Sequence, residues 1–256
     1  MSRPAAKKEL GQHFLVDENL LGVIGRLAEL EPSDVVLEVG PGLGVLTTYL
    51  ADRVAYVHAV ELDRSLAERL PENDRVRLHL GDALRLDLAA LEPAPSKLVS
   101  NLPYNIATPL IVESIDGLPG LELWCVMVQR EVADRFFAQP STKAYGAVSV
   151  LVQLAAERTG LHRVSRTVFR PRPNVDSALV AFRRHQLPAD FPRVKQVVTA
   201  AFAHRRKQLA NSLELAGVAT RHTATEALRT IGRESAVRAE ELAPQEFVAL
   251  TDALAA

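Results

Sequence analysis

The four residues Asn101-Leu102-Pro103-Tyr104 combine groups that can prepare an exocyclic amino nitrogen for methylation. The lone pair of such a nitrogen is delocalised into its ring and has to be drawn toward tetrahedral geometry. The Asn101 side-chain oxygen and the Leu102 backbone carbonyl can each accept one amino hydrogen, which aims the lone pair at a methyl donor. Pro103 fixes the turn, and Tyr104 offers a ring for a flipped base. The alternative is a strand-end turn in which Asn and Pro have only conformational roles.

A glycine-rich stretch upstream indicates the methyl donor. Residues 35–39 read as a strand, three glycines follow at alternate positions, and apolar residues then recur at helical spacing. In such a strand–turn–helix unit the backbone can approach a nucleotide-type cofactor closely. The spacing of Gly40, Gly42 and Gly44, with Glu38 two residues ahead, differs from the dinucleotide pattern and favours S-adenosylmethionine over NAD. A plain glycine turn between a core strand and a helix is the alternative.

Two acidic residues follow further strands of the same β-α-β pattern. Residues 55–61 read as a strand ending in Glu61, the position where ribose hydroxyls are bound in such folds. Residues 76–80 read as the next strand, after which Asp82 can accept a hydrogen bond from an adenine amino group. Either acid alone carries little weight. The two acids and the glycine turn in this order together predict a cofactor site.

The successive motifs resemble those of the rRNA adenine N6,N6-dimethyltransferases, in particular the bacterial small-subunit (16S) enzymes, which are class I S-adenosylmethionine-dependent methyltransferases. The resemblance covers nearly the whole chain, in residues 11–15, 38–44, 61–63, 81–83, 101–109, 129–135, 143–146, 169–177, 201–207 and 238–242. It implies two methyl transfers to each of two adjacent adenosines in a hairpin near the 3′ end of 16S rRNA, late in 30S biogenesis. The 16S rRNA within the 30S subunit or its precursor would be the partner.

The resemblance also implies roles for individual residues. The cofactor site would be formed by Gln12, His13, Leu15, Glu38, Gly40, Gly42, Glu61, Leu62, Asp82, Ala83 and Asn101. The catalytic set would be Asn101, Leu102, Pro103, Tyr104 and Phe169, with Tyr104 and Phe169 on either side of the target adenine. No metal is expected. Family members often have Pro or Thr at the positions of Arg170 and Arg172, and Lys at Asn174, so the resemblance implies the fold but does not specify the detailed RNA contacts of this chain.

The charge distribution is uneven although the net charge is only −1. Between Arg158 and Lys207 there are twelve Lys and Arg residues against Asp176 and Asp190, a local balance of +10. A basic block in a neutral chain predicts a surface for polyanions. The cluster of Arg205, Arg206 and Lys207 can neutralise phosphates and is the hypothesised RNA-binding set. A solvated face of an arginine-rich protein is the simpler alternative.

The element pattern predicts an α/β fold, a Rossmann-like seven-stranded methyltransferase sheet with a small C-terminal all-α domain. Residues 1–187, including an N-terminal arm of residues 1–16, would form the catalytic domain, and residues 188–256 a helical RNA- or ribosome-binding domain. Further helices are expected at 17–29, 65–70, 131–138, 147–155, 194–203, 223–231 and 245–254, and strands at 97–101, 121–128, 156–164 and 176–182.

Composition indicates to which broad class of protein the chain belongs: globular, membrane-spanning or secreted. An apolar content of 48% supports a buried core, and no run approaches the length of a membrane span. Charged residues near the N-terminus stand where a signal peptide would be apolar, so a cytoplasmic protein without membrane partners is expected. The single cysteine, Cys125, lies in an apolar run and reads as a core residue. A monomer is the default expectation.

Three other functions compete with this interpretation. The 23S rRNA adenine N6-methyltransferases of macrolide resistance share the fold, but they usually have Ile where this chain has Leu102. A non-catalytic ribosome assembly factor could be built on the same scaffold. DNA and protein-glutamine methyltransferases more often carry Pro at the position of Leu102. A purely non-catalytic role is disfavoured because every cofactor and target-base position expected for the 16S enzyme is filled.

Overall fold

The computed structural model describes residues 13–15 and 17–255. Seven of the described strands form one sheet, in the order β4-β3-β2-β5-β6-β9-β7. These strands are β2 Val35–Val39, β3 Tyr56–Glu61, β4 Val76–Leu80, β5 Lys97–Asn101, β6 Leu123–Gln129, β7 Ala156–Val164 and β9 Ser177–Arg184. A separate two-stranded ladder joins β1 Phe14–Leu15 to β8 Phe169–Arg170. The predicted seven-stranded α/β fold is confirmed.

Residues 17–255 contain ten α helices. They are α1 Glu18–Leu27, α2 Val45–Ala51, α3 Arg64–Ala67, α4 Ala107–Gly117, α5 Arg130–Phe136, α6 Ala147–Ala155, α7 Phe191–Ala203, α8 Leu209–Leu215, α9 Arg221–Thr230 and α10 Pro244–Ala255. Asp17 caps α1, because its carboxylate accepts a hydrogen bond from the Asn19 amide over 2.8 Å. None of these helices is long and apolar enough to cross a bilayer.

The parallel centre of the sheet places the ends of several strands at one edge. Strand β2 pairs in parallel with β3 and β5, and β5 with β6, whereas β6 pairs antiparallel with β9. The central strands are covered on both faces, and Cys125 in β6 is fully buried, as its apolar surroundings predict. The glycine turn after β2, Glu61 at the end of β3 and Asn101 at the end of β5 consequently meet at the same edge.

Contacts divide the described chain into two compact units. The sheet unit comprises the described part of Met1–Ala133 together with Arg158–Arg184, and the helical unit comprises Asp134–Glu157 with the described part of His185–Ala256. The boundary at 187/188 stays a prediction, but this grouping differs from it by assigning Asp134–Glu157 to the helices. A physical reason lies in Tyr145, which is buried, donates to Leu242 O over 2.7 Å and packs against Phe202.

Several elements are absent from the sequence-based expectations. Helices α4 and α8 were not expected, and neither was the ladder of β1 with β8. Strands of two residues are too short to show an alternating pattern, and α8 has only seven residues. Where elements were expected, most differences amount to a few residues at the ends. The β1–β8 ladder is the omission that matters for function, because it forms part of the cavity wall described below.

Candidate active site

The glycine turn after β2 is held in a conformation that other residues rarely adopt. Gly40 has φ +76° and Gly42 has φ +60°, both in the left-handed region. A Cβ on Gly40 would lie 3.0 Å from the Pro103 ring, and one on Gly42 would lie 3.0 Å from Cδ1 of Phe14. The missing side chains therefore allow the turn to approach both the Asn101–Tyr104 segment and β1.

An open cavity of about 1100 Å³, counted with its mouth, lies at this edge of the sheet. Thirteen of the residues expected at the site line it: His13, Leu15, Glu38, Gly40, Gly42, Glu61, Leu62, Asp82, Ala83, Asn101, Leu102, Pro103 and Tyr104. Gln12 lies outside the described residues. Phe14 also lines the cavity and was missed, although its position between His13 and Leu15 in the first motif could have indicated it.

The Asn101 carboxamide has a defined orientation. Its Nδ2 donates to the backbone carbonyl of His13 over 3.0 Å, and His13 Nδ1 donates to the Pro171 carbonyl over 2.8 Å. Within residues 13–15 and 17–255 no group donates to Asn101 Oδ1. The carboxamide thus keeps its oxygen available as an acceptor.

The Leu102 backbone supplies a second acceptor beside Asn101. Its amide donates to Met127 O over 3.1 Å, which fixes the peptide against β6, and its side chain is buried. No donor to the Leu102 carbonyl occurs in the part of the chain that the structure describes. Two adjacent unsatisfied carbonyl oxygens beside a cavity can together accept both hydrogens of an amino group.

The Tyr104 side chain is held by a hydrogen bond of its hydroxyl and by a contact of its ring with another ring. Its hydroxyl lies 2.7 Å from Oγ of Ser177, and its ring centroid lies 5.4 Å from that of His13 at an interplanar angle of 36°. Burial raises the pKa of the Tyr104 phenol above its ordinary value, so the hydroxyl stays neutral. Sequence reasoning did not identify Ser177 as a residue that acts on the site.

Phe169 lies behind the cavity wall. Its side chain is 1% exposed, belongs to the same buried cluster as Leu15 and Val164, and is absent from the cavity lining. Its backbone pairs with Leu15 in the β1–β8 ladder. In this conformation Phe169 supports the wall, and its contact with a target base remains a prediction.

Glu61 links the glycine turn to the end of β3. One carboxylate oxygen accepts from the Asp63 amide over 2.8 Å, and the other accepts from the Gly42 amide over 3.3 Å. Burial raises the pKa of Glu61, and these backbone bonds oppose the rise. Each oxygen keeps a second lone pair, so Glu61 can still accept a ligand hydroxyl.

Glu38 is the most strongly perturbed group of the cavity. Burial, with a smaller contribution from the charge of Glu61, raises its pKa from 4.5 to about 8. Its Oε2 is buried and has no hydrogen-bond partner among the described residues. A buried carboxyl oxygen without a partner is costly, and a cationic ligand in the cavity would satisfy it.

Asp82 occupies the mouth beyond β4. Its Oδ1 accepts from the Leu84 amide over 3.0 Å, and its other oxygen lies 3.6 Å from Nε of the exposed Arg85. Exposed pairs of this kind are weak, so the carboxylate remains available to a ligand. No cluster of three or more His, Cys, Asp or Glu side chains suited to a metal ion occurs among the residues searched, 13–15 and 17–255.

The three expected RNA-binding residues lie in the helical unit. Arg205, Arg206 and Lys207 follow α7 and are all exposed. Arg205 donates to Tyr145 O over 2.9 Å and lies 3.6 Å from the Glu240 carboxylate. Arg205 is therefore partly used within its own unit.

Comparisons with known proteins agree with the motifs. The family described as Ribosomal RNA adenine dimethylase matches residues 3–255. A protein of Rubrobacter xylanophilus named Ribosomal RNA small subunit methyltransferase A is 48% identical over 255 residues, which cover 96% of this chain and 94% of the relative.

Two solved structures share the fold. A dimethyladenosine transferase from Plasmodium falciparum has a TM-score of 0.73 at 22% identity, covering 93% of this chain and 96% of its own. The 23S rRNA methyltransferase ErmE has a TM-score of 0.65 at 29% identity, covering 95% and 100%. The similarity thus extends over both units.

Proposed function

Because this chain belongs to the ribosomal RNA adenine dimethylase family, we propose that it transfers methyl groups from S-adenosylmethionine to N6 of two adjacent adenosines near the 3′ end of 16S rRNA. The relative named for the small subunit supports that subunit as the target. The substrate is the 30S subunit or its precursor, late in assembly and in the cytoplasm. The protein is proposed to act as a monomer.

The cavity fits S-adenosylmethionine in charge and shape. Glu38 offers an unpartnered buried oxygen to a ligand that carries an ammonium and a sulfonium group. The turn at Gly40 and Gly42 leaves the space that side chains would fill. Glu61 would accept from the ribose hydroxyls and Asp82 from the adenine amino group, with Leu62 and Ala83 beside the base. When bound, this cofactor supplies an electrophilic methyl group.

The chain's own contribution to chemistry is to orient the target nitrogen. Asn101 Oδ1 and the Leu102 carbonyl accept the two hydrogens of the adenine amino group, which directs the lone pair into the cavity. No strong base is needed, because the nitrogen becomes acidic as it gains the methyl and loses its proton to water. After one methylation a single hydrogen remains, and one of the two acceptors still holds it.

Two aromatic residues would bind the flipped base. Tyr104 lines the cavity and presents its ring, while Ser177 holds its hydroxyl. Phe169 becomes the second stacking partner if the base displaces it from its buried position. In the helical unit Arg205, Arg206 and Lys207 are exposed cations suited to rRNA phosphates.

The single observation that carries the proposal is the bond from Asn101 Nδ2 to His13 O, which leaves Asn101 Oδ1 available as an acceptor next to the Leu102 carbonyl in the cavity lining. The test is methyl transfer from labelled S-adenosylmethionine to purified 30S and 50S subunits that lack adenine dimethylation, with the nucleotide identified by mass. We expect N6,N6-dimethyladenosine on the 30S subunit. Asn101→Ala should abolish it, whereas Asn19→Ala, the same change at an exposed position of α1, should not.

The other outcomes separate the competing functions. Label on the 50S subunit alone would replace this proposal by the 23S methyltransferase function. Cofactor binding without label on either subunit would indicate a non-catalytic assembly factor. Both results would contradict the proposed activity.

A further inference from the structure

Four exposed arginines lie in a short segment of the sheet unit. We call this set the arginine rim; it consists of Arg163, Arg166, Arg170 and Arg172. Asp176 is the only acidic residue between positions 158 and 189, and its Oδ1 accepts from the backbone amide of Arg166 over 3.5 Å. Within the described residues no carboxylate forms an ion pair with the rim; the guanidinium of Arg166 donates to Asn174 O over 3.3 Å. The rim is therefore a concentrated positive charge without internal compensation.

Strand pairing brings one of these arginines to the cavity wall. In the β1–β8 ladder Arg170 is directly opposite Phe14, and Phe169 is opposite Leu15. Directly opposed residues point to the same face of a ladder, with Cβ atoms about 5 Å apart. The Leu15 and Phe169 side chains are buried, so Phe14 and Arg170 share the other face.

Residues from both faces of the ladder reach the cavity, Leu15 on the buried face and Phe14 on the face that it shares with Arg170. Phe14 lines the cavity and touches the glycine turn at Gly42. Arg170 itself is exposed and does not line the cavity, and neither does Arg172. Between them, Pro171 accepts the hydrogen bond from His13 that anchors this segment. Two free guanidinium groups thus stand just outside the wall, on either side of a residue bonded to the site.

The position and chemistry favour phosphate as the ligand. A guanidinium presents a planar fork of donors that suits phosphate oxygens. A nucleotide whose base enters the cavity has a phosphate on each side of its sugar, and both must remain outside. The competing anion is the carboxylate of the cofactor, but that ligand lies within the cavity, which Arg170 and Arg172 do not line.

We propose that Arg170 and Arg172 bind the RNA phosphates that flank the target adenosine, with Arg163 at the end of β7 and Arg166 just after it adding to this surface. The inference rests on the proposed function, because it takes RNA as the substrate of the cavity. It assigns part of the RNA binding to the sheet unit, in addition to the residues of the helical unit.

The test is equilibrium binding of undermethylated 30S subunits by the double variant Arg170→Gln/Arg172→Gln between 50 and 300 mM salt. We expect affinity to fall about tenfold or more, and the slope of log K against log salt to become shallower by about 1.4, since each lost single-strand phosphate contact removes about 0.7. The dissociation constant of S-adenosylmethionine should not change.

A matched control removes the same charge from two elements that carry none of the rim residues, α1 and β4. Arg26 in the last turn of α1 and Arg77 near the start of β4 are exposed, and the variant Arg26→Gln/Arg77→Gln should keep the parent's salt slope. Equal slopes for the two double variants would overturn the inference. A raised dissociation constant for S-adenosylmethionine with unchanged RNA binding would also overturn it, because the ligand would then be the cofactor carboxylate.

The rim is tested by measuring RNA affinity and the proposed function by measuring methyl transfer, so the two can fail independently. If the parent binds 30S subunits without methylating them, the proposed activity fails. A difference in salt slope between the rim variant and the control variant would still support phosphate binding by the rim. If the parent methylates 30S subunits and the rim variant binds as the control does, only the rim assignment fails.

Discussion

The hydroxyl of Tyr104 lies 2.7 Å from the hydroxyl of Ser177, which joins the segment after β5 to the first residue of β9. Ser177 is almost fully buried, so the bond is shielded from water. Ser177→Ala should raise KM for the 30S subunit about fivefold, the equivalent of about 1 kcal/mol for one hydrogen bond. Ser177→Thr keeps the hydroxyl, so its KM for the 30S subunit should stay close to that of the parent.

The control for this prediction is another buried serine hydroxyl. Ser212→Ala removes a bond to Ala200 O in the helical unit, and it should lower stability without changing KM. The double variant Ser177→Ala/Tyr104→Phe should raise KM for the 30S subunit no more than either change alone, because both changes remove the same hydrogen bond. Additive effects of these two changes would contradict the role given to Ser177.

Gly42→Ala should weaken cofactor binding at least tenfold. The new Cβ would lie 3.0 Å from Phe14, and alanine at φ +60° costs about 1–2 kcal/mol. Gly217→Ala is a matched control, since Gly217 has φ +69° with no atom within 4 Å of the added Cβ. Calorimetric titration with S-adenosylmethionine should separate the two variants, although both should lose stability. Equal affinities would mean that the turn does not cradle the cofactor.

Glu38 should make the ligand-free protein less stable as pH rises. Its pKa of about 8 in the fold exceeds the ordinary value of 4.5, so between these pH values the folded state keeps a proton that the unfolded state has lost. The free energy of unfolding therefore falls as pH rises from 4.5 to about 8, by on the order of a few kcal/mol. Urea unfolding at pH 5 and pH 8 measures this difference.

Glu38→Gln should reduce the pH dependence of the free energy of unfolding, whereas Glu72→Gln, a change at an exposed position, should leave that pH dependence unchanged. Cofactor binding should also release a proton near neutral pH in the parent, because a cation beside Glu38 favours its ionised form. Proton release that is unchanged in the Glu38→Gln variant would contradict this assignment.

The ion pair of Lys97 with Asp34 should support stability and not catalysis. Lys97 Nζ lies 2.8 Å from Asp34 Oδ2, and both side chains are nearly buried. Lys97→Met leaves a buried carboxylate unpaired and should cost about 3–5 kcal/mol in urea unfolding. Lys97 begins β5 and Asn101 ends it, about 13 Å away. Turnover per folded molecule should therefore stay near that of the parent, and Asp34→Asn in the same chain should recover part of the stability.

Much of the sheet was predictable because β6 is a continuous apolar run, β4 alternates apolar with polar residues, and glycine or acidic residues stand at the ends of β2, β3 and β4. The bounds of β2 and β4 were predicted to the residue, as were those of α6 and β7. The cavity residues after β2, β3 and β5 were predictable for the same reason, since parallel strands place their ends at one edge.

Contacts between residues far apart in the chain could not be predicted from the sequence pattern. The pairing of Phe14 with Arg170 joins two-residue strands, and no local periodicity indicates it. The burial of Phe169 and the partnerless oxygen of Glu38 depend on packing that spacing does not encode. The grouping of Asp134–Glu157 with the C-terminal helices differs from the expected boundary at 187/188, because these helices lie between strands in the sequence.

The bond between His13 and Pro171 joins positions that are 158 residues apart in the chain. Closing so long a loop costs entropy that only the nearly complete fold repays. During synthesis the segment around His13 emerges early, yet its partner strand follows much later. A folding intermediate with a finished glycine turn and a finished β5 would still lack the contact that fixes His13. The orientation of the Asn101 carboxamide thus depends on the completed assembly of the sheet, so partly folded chains should be inactive.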